Sequence, residues 1–297
     1  MNQLTIGTDL ECFLRNRKTG IIESAIPVIK EGKDNPRDLG KGFKVLHDNA
    51  LLEFNVPYSK SRKQFIANLR EGLKRMTSLV GKKYELVAQA SHEFDPKFLK
   101  DRDANIFGCS AEFDAWEMKM VRPPDCHTNL RSCGGHLHFG REDFQNPSDQ
   151  TLMEVPSKAR TIRLMDLFLG IPFTILESND PTNKDRKKLY GRASFHRPTP
   201  FGCEYRVLTN FWMRSPKLTG LAFDLAMLAI RAEIENKADS IIAKINPDEI
   251  VSIINTASKD RAKELLNELP IPASLKKRIA ILENQKFSAT LEKEWKI

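Results

Sequence analysis

The chain has no apolar run approaching the roughly 20 residues that cross a bilayer, so no membrane partner is expected. It has no GxxxxGK[ST] loop, which excludes a P-loop nucleotide site. Cysteine is scarce and odd in number: Cys12, Cys109, Cys126, Cys133 and Cys203 form no dense framework and read as reduced thiols. Cys126, His127, Cys133 and His136 raise the question of zinc, but the CxxC clips of structural zinc sites are missing. The N-terminus shows no basic segment followed by an apolar one, so a cytoplasmic protein is expected. Dense basic blocks interleaved with aromatics are absent too. The net charge of +8 is spread along the chain; it permits nucleic acid without favouring it, and suits a site that handles nucleotide phosphates equally well.

What is present is ordinary for a globular domain: 297 residues, 40% hydrophobic and 29% charged. Strand patterns run over Leu4–Leu14, Leu51–Val56, Tyr84–Ala90, Ser132–Gly140 and Cys203–Thr209. Phe65, Leu69, Leu73, Met76 and Val80 recur at helical spacing within Lys60–Val80. A second helix is expected over Ser157–Ile171, and the chain turns helical from Pro216, with shorter helices near Asp248, Lys259 and Ser274. The stretches Gly32–Gly42 and Ser178–Pro200 read as loops. Strands first and helices late imply an α+β protein: an antiparallel sheet with helices on one face and the chemistry on the other.

Side chains alternate across a strand, so residues two apart share a face. That rule pairs Asp9 with Glu11, Glu53 with Asn55, His136 with His138, and Glu204 with Arg206. A merely solvated face favours Thr, Lys and Ser, whereas these strands carry acid with acid, His with His, and Glu with Arg. Adjacent carboxylates repel and are best tolerated where cations hold them together. Oxygen ligands suit Mg²⁺ or Mn²⁺, and imidazoles move the balance towards Mn²⁺. Gly134 and Gly135 allow close backbone approach just before His136. Between Asp185 and Arg197 lie Arg186, Lys187, Lys188 and Arg192; Arg186 or Arg192 is expected to bind phosphate, because the guanidinium fork suits phosphoryl oxygens.

At GTDLECF (7–13), HDNALLEFNVP (47–57), SCGGHLHFG (132–140), LYGRASF and CEYRVLTNFW (within 189–212), the chain resembles the phage amidoligase family, COOH–NH2 ligase type 2, of the glutamine synthetase and glutamate–cysteine ligase superfamily. The resemblance implies a curved antiparallel sheet of glutamine-synthetase-like fold, with a catalytic core at 1–215 and a helical region at 216–297 packed on it. It implies ATP with Mg²⁺ or Mn²⁺, and amide formation between a small-molecule or peptide carboxylate and an amine through an acyl phosphate. If phage-encoded, the protein would work in the host cytoplasm. Metal ligands would be Asp9, Glu11, Glu53, Glu112, His136 and Glu204. His138 is a second candidate for metal or phosphate contact, Arg206 would lie near the transferred phosphoryl group, and Glu53 or Glu112 would accept the amine's proton. The first-strand pattern departs from the relatives' Glu-x-Glu, since Asp9 is one methylene shorter. A phosphagen-kinase-like phosphotransferase and a non-catalytic nucleotide- or nucleic-acid-associated protein are the competing readings.

Overall fold

The computed structural model describes residues 4–106, 112–121, 128–141 and 155–297. Cys109, Cys126 and His127 lie outside these residues. The strands are β1 (Leu4–Asn16), β2 (Ile22–Glu23), β3 (Arg37–Gly40), β4 (Phe43–Asp48), β5 (Leu51–Ser59), β6 (Tyr84–Val87), β7 (Ser91–Glu93), β8 (Glu112–Asp114), β9 (Lys119–Val121), β10 (Leu130–Ser132), β11 (Gly135–Arg141), β12 (Phe195–Thr199) and β13 (Gly202–Tyr205). Helix α1 (Arg62–Val80) is followed by α2 (Val155–Met165), α3 (Ile171–Leu176) and α4 (Asn183–Leu189). After them come α5 (Pro216–Ile234), α6 (Ala238–Ile242), α7 (Pro247–Thr256), α8 (Lys259–Glu268), α9 (Ala273–Glu283) and α10 (Leu291–Trp295). None of the described helices is long and apolar enough to cross a membrane.

The α+β class stands, but the expected curved, glutamine-synthetase-like sheet does not. The strands make two antiparallel sheets, neither curved nor closed. The larger runs β3-β4-β5-β1-β11-β13-β12-β8-β9, an open path with β3 and β9 at its ends; β7 and β10 form the smaller. The reason lies in β1. Its first half pairs with β11 on one side and β5 on the other, and from Phe13 onward it changes partners to β6 and β2. The long strand thus branches where a closing sheet would bend.

One side of the large sheet is apolar. Leu10 and Cys12 of β1, Phe54 and Val56 of β5, and Leu137 and Phe139 of β11 join a single core cluster with α1, α2, α3, α5 and the later helices. Helix α1 is capped by Ser61, whose hydroxyl accepts from the Gln64 amide at 3.2 Å, and it buries the apolar stripe read from the sequence. Gly72 lets it sit close: a methyl there would lie 2.9 Å from Val56 Cγ1. Helix α5 starts at Pro216 behind the Ser215 cap and buries Leu218, Leu221, Ala222 and Leu225. With the helices on this side, the polar members of each strand share the other.

Two segments read as loops are partly regular. Strand β3 lies within 32–42, and α4 and β12 lie within 178–200. Between α2 and α3 the helix continues through a π-turn, Asp166–Gly170.

Candidate active site

Strand register brings the pairs together. Glu11 stands directly opposite Glu53, and Asp9 opposite both Asn55 on β5 and His136 on β11. His138 faces Glu204. Asp9 Oδ1 lies 3.1 Å from His138 Nε2 and 3.4 Å from His136 Nδ1, and the same His136 nitrogen is 3.2 Å from Glu204 Oε1. Arg206 follows β13, its amide donating to the Phe195 carbonyl. Its guanidinium is held by Glu204 and, at 2.6 Å, by Glu112 of β8, with His136 Nδ1 3.3 Å away.

Among the described residues, two groups of three could each hold a metal ion: Asp9 with His138 and Glu204, and Glu11 with Asp48 and Glu53, the ligand atoms of each lying within 4.8 Å of one another. Asp9 Oδ1 is buried and accepts no well-angled hydrogen bond, although both histidines are close. A buried carboxylate oxygen with a spare lone pair is what a cation requires.

The electrostatics agree. Burial pushes the Glu53 carboxyl well above its usual range, and Asp9, Asp48 and Glu11 push the same way. Burial raises Glu11 too, against the pull of His136. Burial also opposes the Asp9 charge, yet His138 and His136 overcome it and hold that carboxyl well below its usual range. Burial alone would neutralise His138, but Asp9 outweighs it and raises the imidazole. For Arg206, Glu204 and Glu112 overcome burial and fix the charge. Two neighbouring acids whose charged forms are disfavoured by burial mark a place where added positive charge is stabilising.

Behind the sheet, Arg186 is fully buried. It donates to the Cys133 carbonyl at 2.9 Å and to the Arg206 carbonyl at 3.3 Å, while Lys187 donates to the Val207 carbonyl at 3.2 Å and to that of Gly191. Cys133 precedes Gly134, whose amide donates to Glu11 Oε2 at 2.5 Å. This ties α4 to the segments just before β11 and just after β13, and through Gly134 to β1. Arg186 also lines a small recess beside the main cleft, with its N–H groups spent on carbonyls; Arg192 is exposed and lines neither space. The packing depends on Gly191 at φ 70°, where a methyl would lie 1.4 Å from Arg186 Nη1. Gly191→Ala should therefore destabilise the fold by more than about 1 kcal/mol, read as a lowered melting temperature; an unchanged melting curve would remove this clamp.

The glycines before His136 are needed for approach. A methyl on Gly134 would lie 2.2 Å from His136 Nε2, and one on Gly135 would lie 2.4 Å from the Thr209 carbonyl oxygen. Asp9, Glu11, Glu53, His136, Glu204 and Arg206 all line one cleft of about 1160 Å³. Glu112 lines the adjoining recess and His138 a neighbouring pocket.

Residues 125–246 match the family model of Phage phiEco32-like COOH.NH2 ligase-type 2. The ligase-type match takes in β11, β12, β13 and α2 to α6, hence His136, His138, Arg186, Glu204 and Arg206. It covers less than half of the chain, and the β1 and β5 acids lie outside it. No curated protein matches the chain. Among solved structures, a bifunctional glutathione synthetase from Pasteurella multocida aligns over 99% of this chain and 52% of its own, at 11% identity and a TM-score of 0.41. The chain spans about half the length of that protein.

Beside the ligase-type motif residues, the cleft contains side chains that the sequence reading missed. Asp48 completes the second carboxylate group, and Lys33 pairs with it at 2.8 Å. Lys41, Lys44 and Lys60 line the same space, as does Arg197, a cation already read from the 185–197 stretch. Lys44, Leu46 and Asp48 alternate along β4, so the rule that found the other pairs would have found this one. Cys133 of the zinc question is buried and belongs to neither group.

Proposed function

We propose that the protein is an ATP-dependent carboxylate–amine ligase that forms an amide through an acyl phosphate. The observation that carries this reading is a cleft lined by Arg206, by acids of both candidate ligand groups and by several lysines. Residues 1–215 would be the catalytic core, with the helices from 216 packed on it.

Mg²⁺ or Mn²⁺ fits this donor set, with Asp9, His138 and Glu204 as one ligand group, Glu11, Asp48 and Glu53 as the other, and His136 beside the first. Such an ion, when bound, would supply charge neutralisation at the ATP phosphates. Arg206, kept cationic by Glu204 and Glu112, would stabilise charge on the transferred γ-phosphoryl oxygens. Lys33, Lys41, Lys44, Lys60 and Arg197 would hold the remaining phosphates and the carboxylate substrate. Phosphorylation gives that carboxylate a leaving group; the amine attacks the acyl carbon, and phosphate departs. Glu53 or Glu112 would take the amine's proton, and the commitment of Glu112 to Arg206 favours Glu53.

The test is to incubate the protein with ATP, Mn²⁺ and mixed carboxylates and amines, measuring phosphate release and new amides by mass spectrometry. Phosphate released only with both substrates present, together with a new amide, is the expected result. Phosphate retained on a nitrogen acceptor would make it a phosphotransferase instead.

A further inference from the structure

Beyond the acids, the same sheet face changes character. Moving along β1 from Glu11 and Asp9, the next residues on that face are Gly7 and Thr5; along β11, after His136 and His138 comes Gly140. These small residues floor a second pocket of about 500 Å³, with Tyr58 and Phe201 among its lining residues. Among the described residues that line it, the titratable side chains are His138, at the boundary with the acids, and Tyr58. Asn55, Val56, Tyr58 and Phe201 line both this pocket and the main cleft, so the two spaces are continuous.

Tyr58 reaches this face through an irregularity. Counting alternately from Glu53 and Asn55 would turn Tyr58 to the apolar side. The β1–β5 register shifts between Ile6/Ser59 and Thr8/Val56, so Pro57 and Tyr58 together oppose Gly7. Such a bulge re-aims a side chain. Tyr58 Cβ consequently lies 3.8 Å from where a methyl on Gly7 would stand. Tyr58 and Phe201 are 51% and 44% exposed, unusual for large rings beside a deep polar cleft.

We propose that this glycine-floored pocket holds the flat heteroaromatic base of the nucleotide, with Tyr58 and Phe201 as its stacking walls. The inference rests on the ligase reading, because it takes ATP as the ligand of the adjoining cleft. Gly7 is two residues from Asp9, about 7 Å along the strand, a separation that a ribose bridges when the phosphates lie over the acids. A pocket whose described lining residues include no carboxylate or ammonium suits a neutral ring, and aromatic walls accept any base by stacking. A side chain at residue 7 would fill the floor, and Gly140 lets the Phe201 backbone come close, since a methyl there would lie 2.3 Å from the Phe201 carbonyl oxygen.

The experiment compares ATP with inorganic tripolyphosphate, each titrated calorimetrically into Mn²⁺-loaded protein. Tyr58→Ala and Phe201→Ala should each weaken ATP about tenfold and leave tripolyphosphate unchanged, while Tyr58→Phe restores ATP affinity. Because both rings are exposed, melting temperatures should stay near that of the unsubstituted protein. Unchanged ATP affinity in the double variant overturns the pocket assignment and leaves the ligase reading standing; so does an equal loss for both ligands, which would place the effect on the phosphates. A rise confined to the KM of the amine substrate would overturn it in favour of an amine pocket. If the unsubstituted protein binds neither ligand, the ligase reading itself fails.

Discussion

Arg206→Ala should reduce ATP-dependent turnover by about a thousandfold or more and also destabilise the metal-free protein. The second effect follows from where the guanidinium sits. Glu112 and Glu204 are buried, and Arg206 bonds both. Removing it leaves two carboxylates in low dielectric without their cation, a loss that costs about 3–5 kcal/mol when one partner of a buried pair is deleted. Activity and stability can be separated. Glu112→Gln in the Arg206→Ala background removes one stranded charge, so it should recover part of the melting temperature and none of the turnover. Arg206→Lys keeps the charge but loses the fork that reaches Glu112 and Glu204 together, and should fall between. Turnover within tenfold of the unsubstituted protein in Arg206→Ala would remove the arginine from the chemistry.

Metal-free protein should lose the stabilisation of its buried acids as pH rises above 4.5, and Mn²⁺ should flatten that slope. Folded Glu53 and Glu11 keep their protons to higher pH than the usual 4.5. Above 4.5 the folded state keeps protons on these two groups that the unfolded chain gives up, so their contribution to stability is fullest below 4.5 and declines as pH climbs through the raised values. His138 acts in the same direction: its contribution is present below 6.5 and is lost as pH passes its raised folded value. Asp9, held well below 3.8, contributes throughout this range and fails only in strong acid. Glu53→Gln removes the most strongly raised group. It should raise the metal-free melting temperature at pH 8 by about 2 °C or more, flatten the pH slope, and diminish the shift produced by Mn²⁺. A single change that stabilises the empty protein and weakens its metal response is hard to obtain except at a ligand. Thermal melts across pH, with and without Mn²⁺, test this directly; an unaltered slope in Glu53→Gln would sink it.

Much of the site was legible because one rule, alternation along a strand, is local. It placed Asp9 with Glu11, His136 with His138, and Glu204 with Arg206 on shared faces before any fold was known. It failed where the strand itself went unread. Asp48 was overlooked because the strand Phe43–Asp48 follows a glycine-rich, charged stretch that looks like loop. Helix α4 was overlooked because its run of Asn, Lys, Asp and Arg suggests solvent, yet Arg186 and Lys187 are buried and bonded to carbonyls. Composition cannot show that a charge is spent inside. Sheet shape was not legible either: alternation says which side a residue faces, whereas the partner change along β1 depends on strands far away in sequence.

The two acidic groups also differ in how much chain must be gathered to build them. Glu11, Asp48 and Glu53 come from three strands that are neighbours in both sequence and space, β1, β5 and β4. Asp9, His138 and Glu204 need β1, β11 and β13, so most of the polypeptide must be in place. Long-range pairings of that kind form slowly because loop closure precedes any reward. During folding or synthesis, therefore, the Glu11 group can be complete while the Asp9 group does not yet exist, and the cleft acquires its full charge only with the last strand.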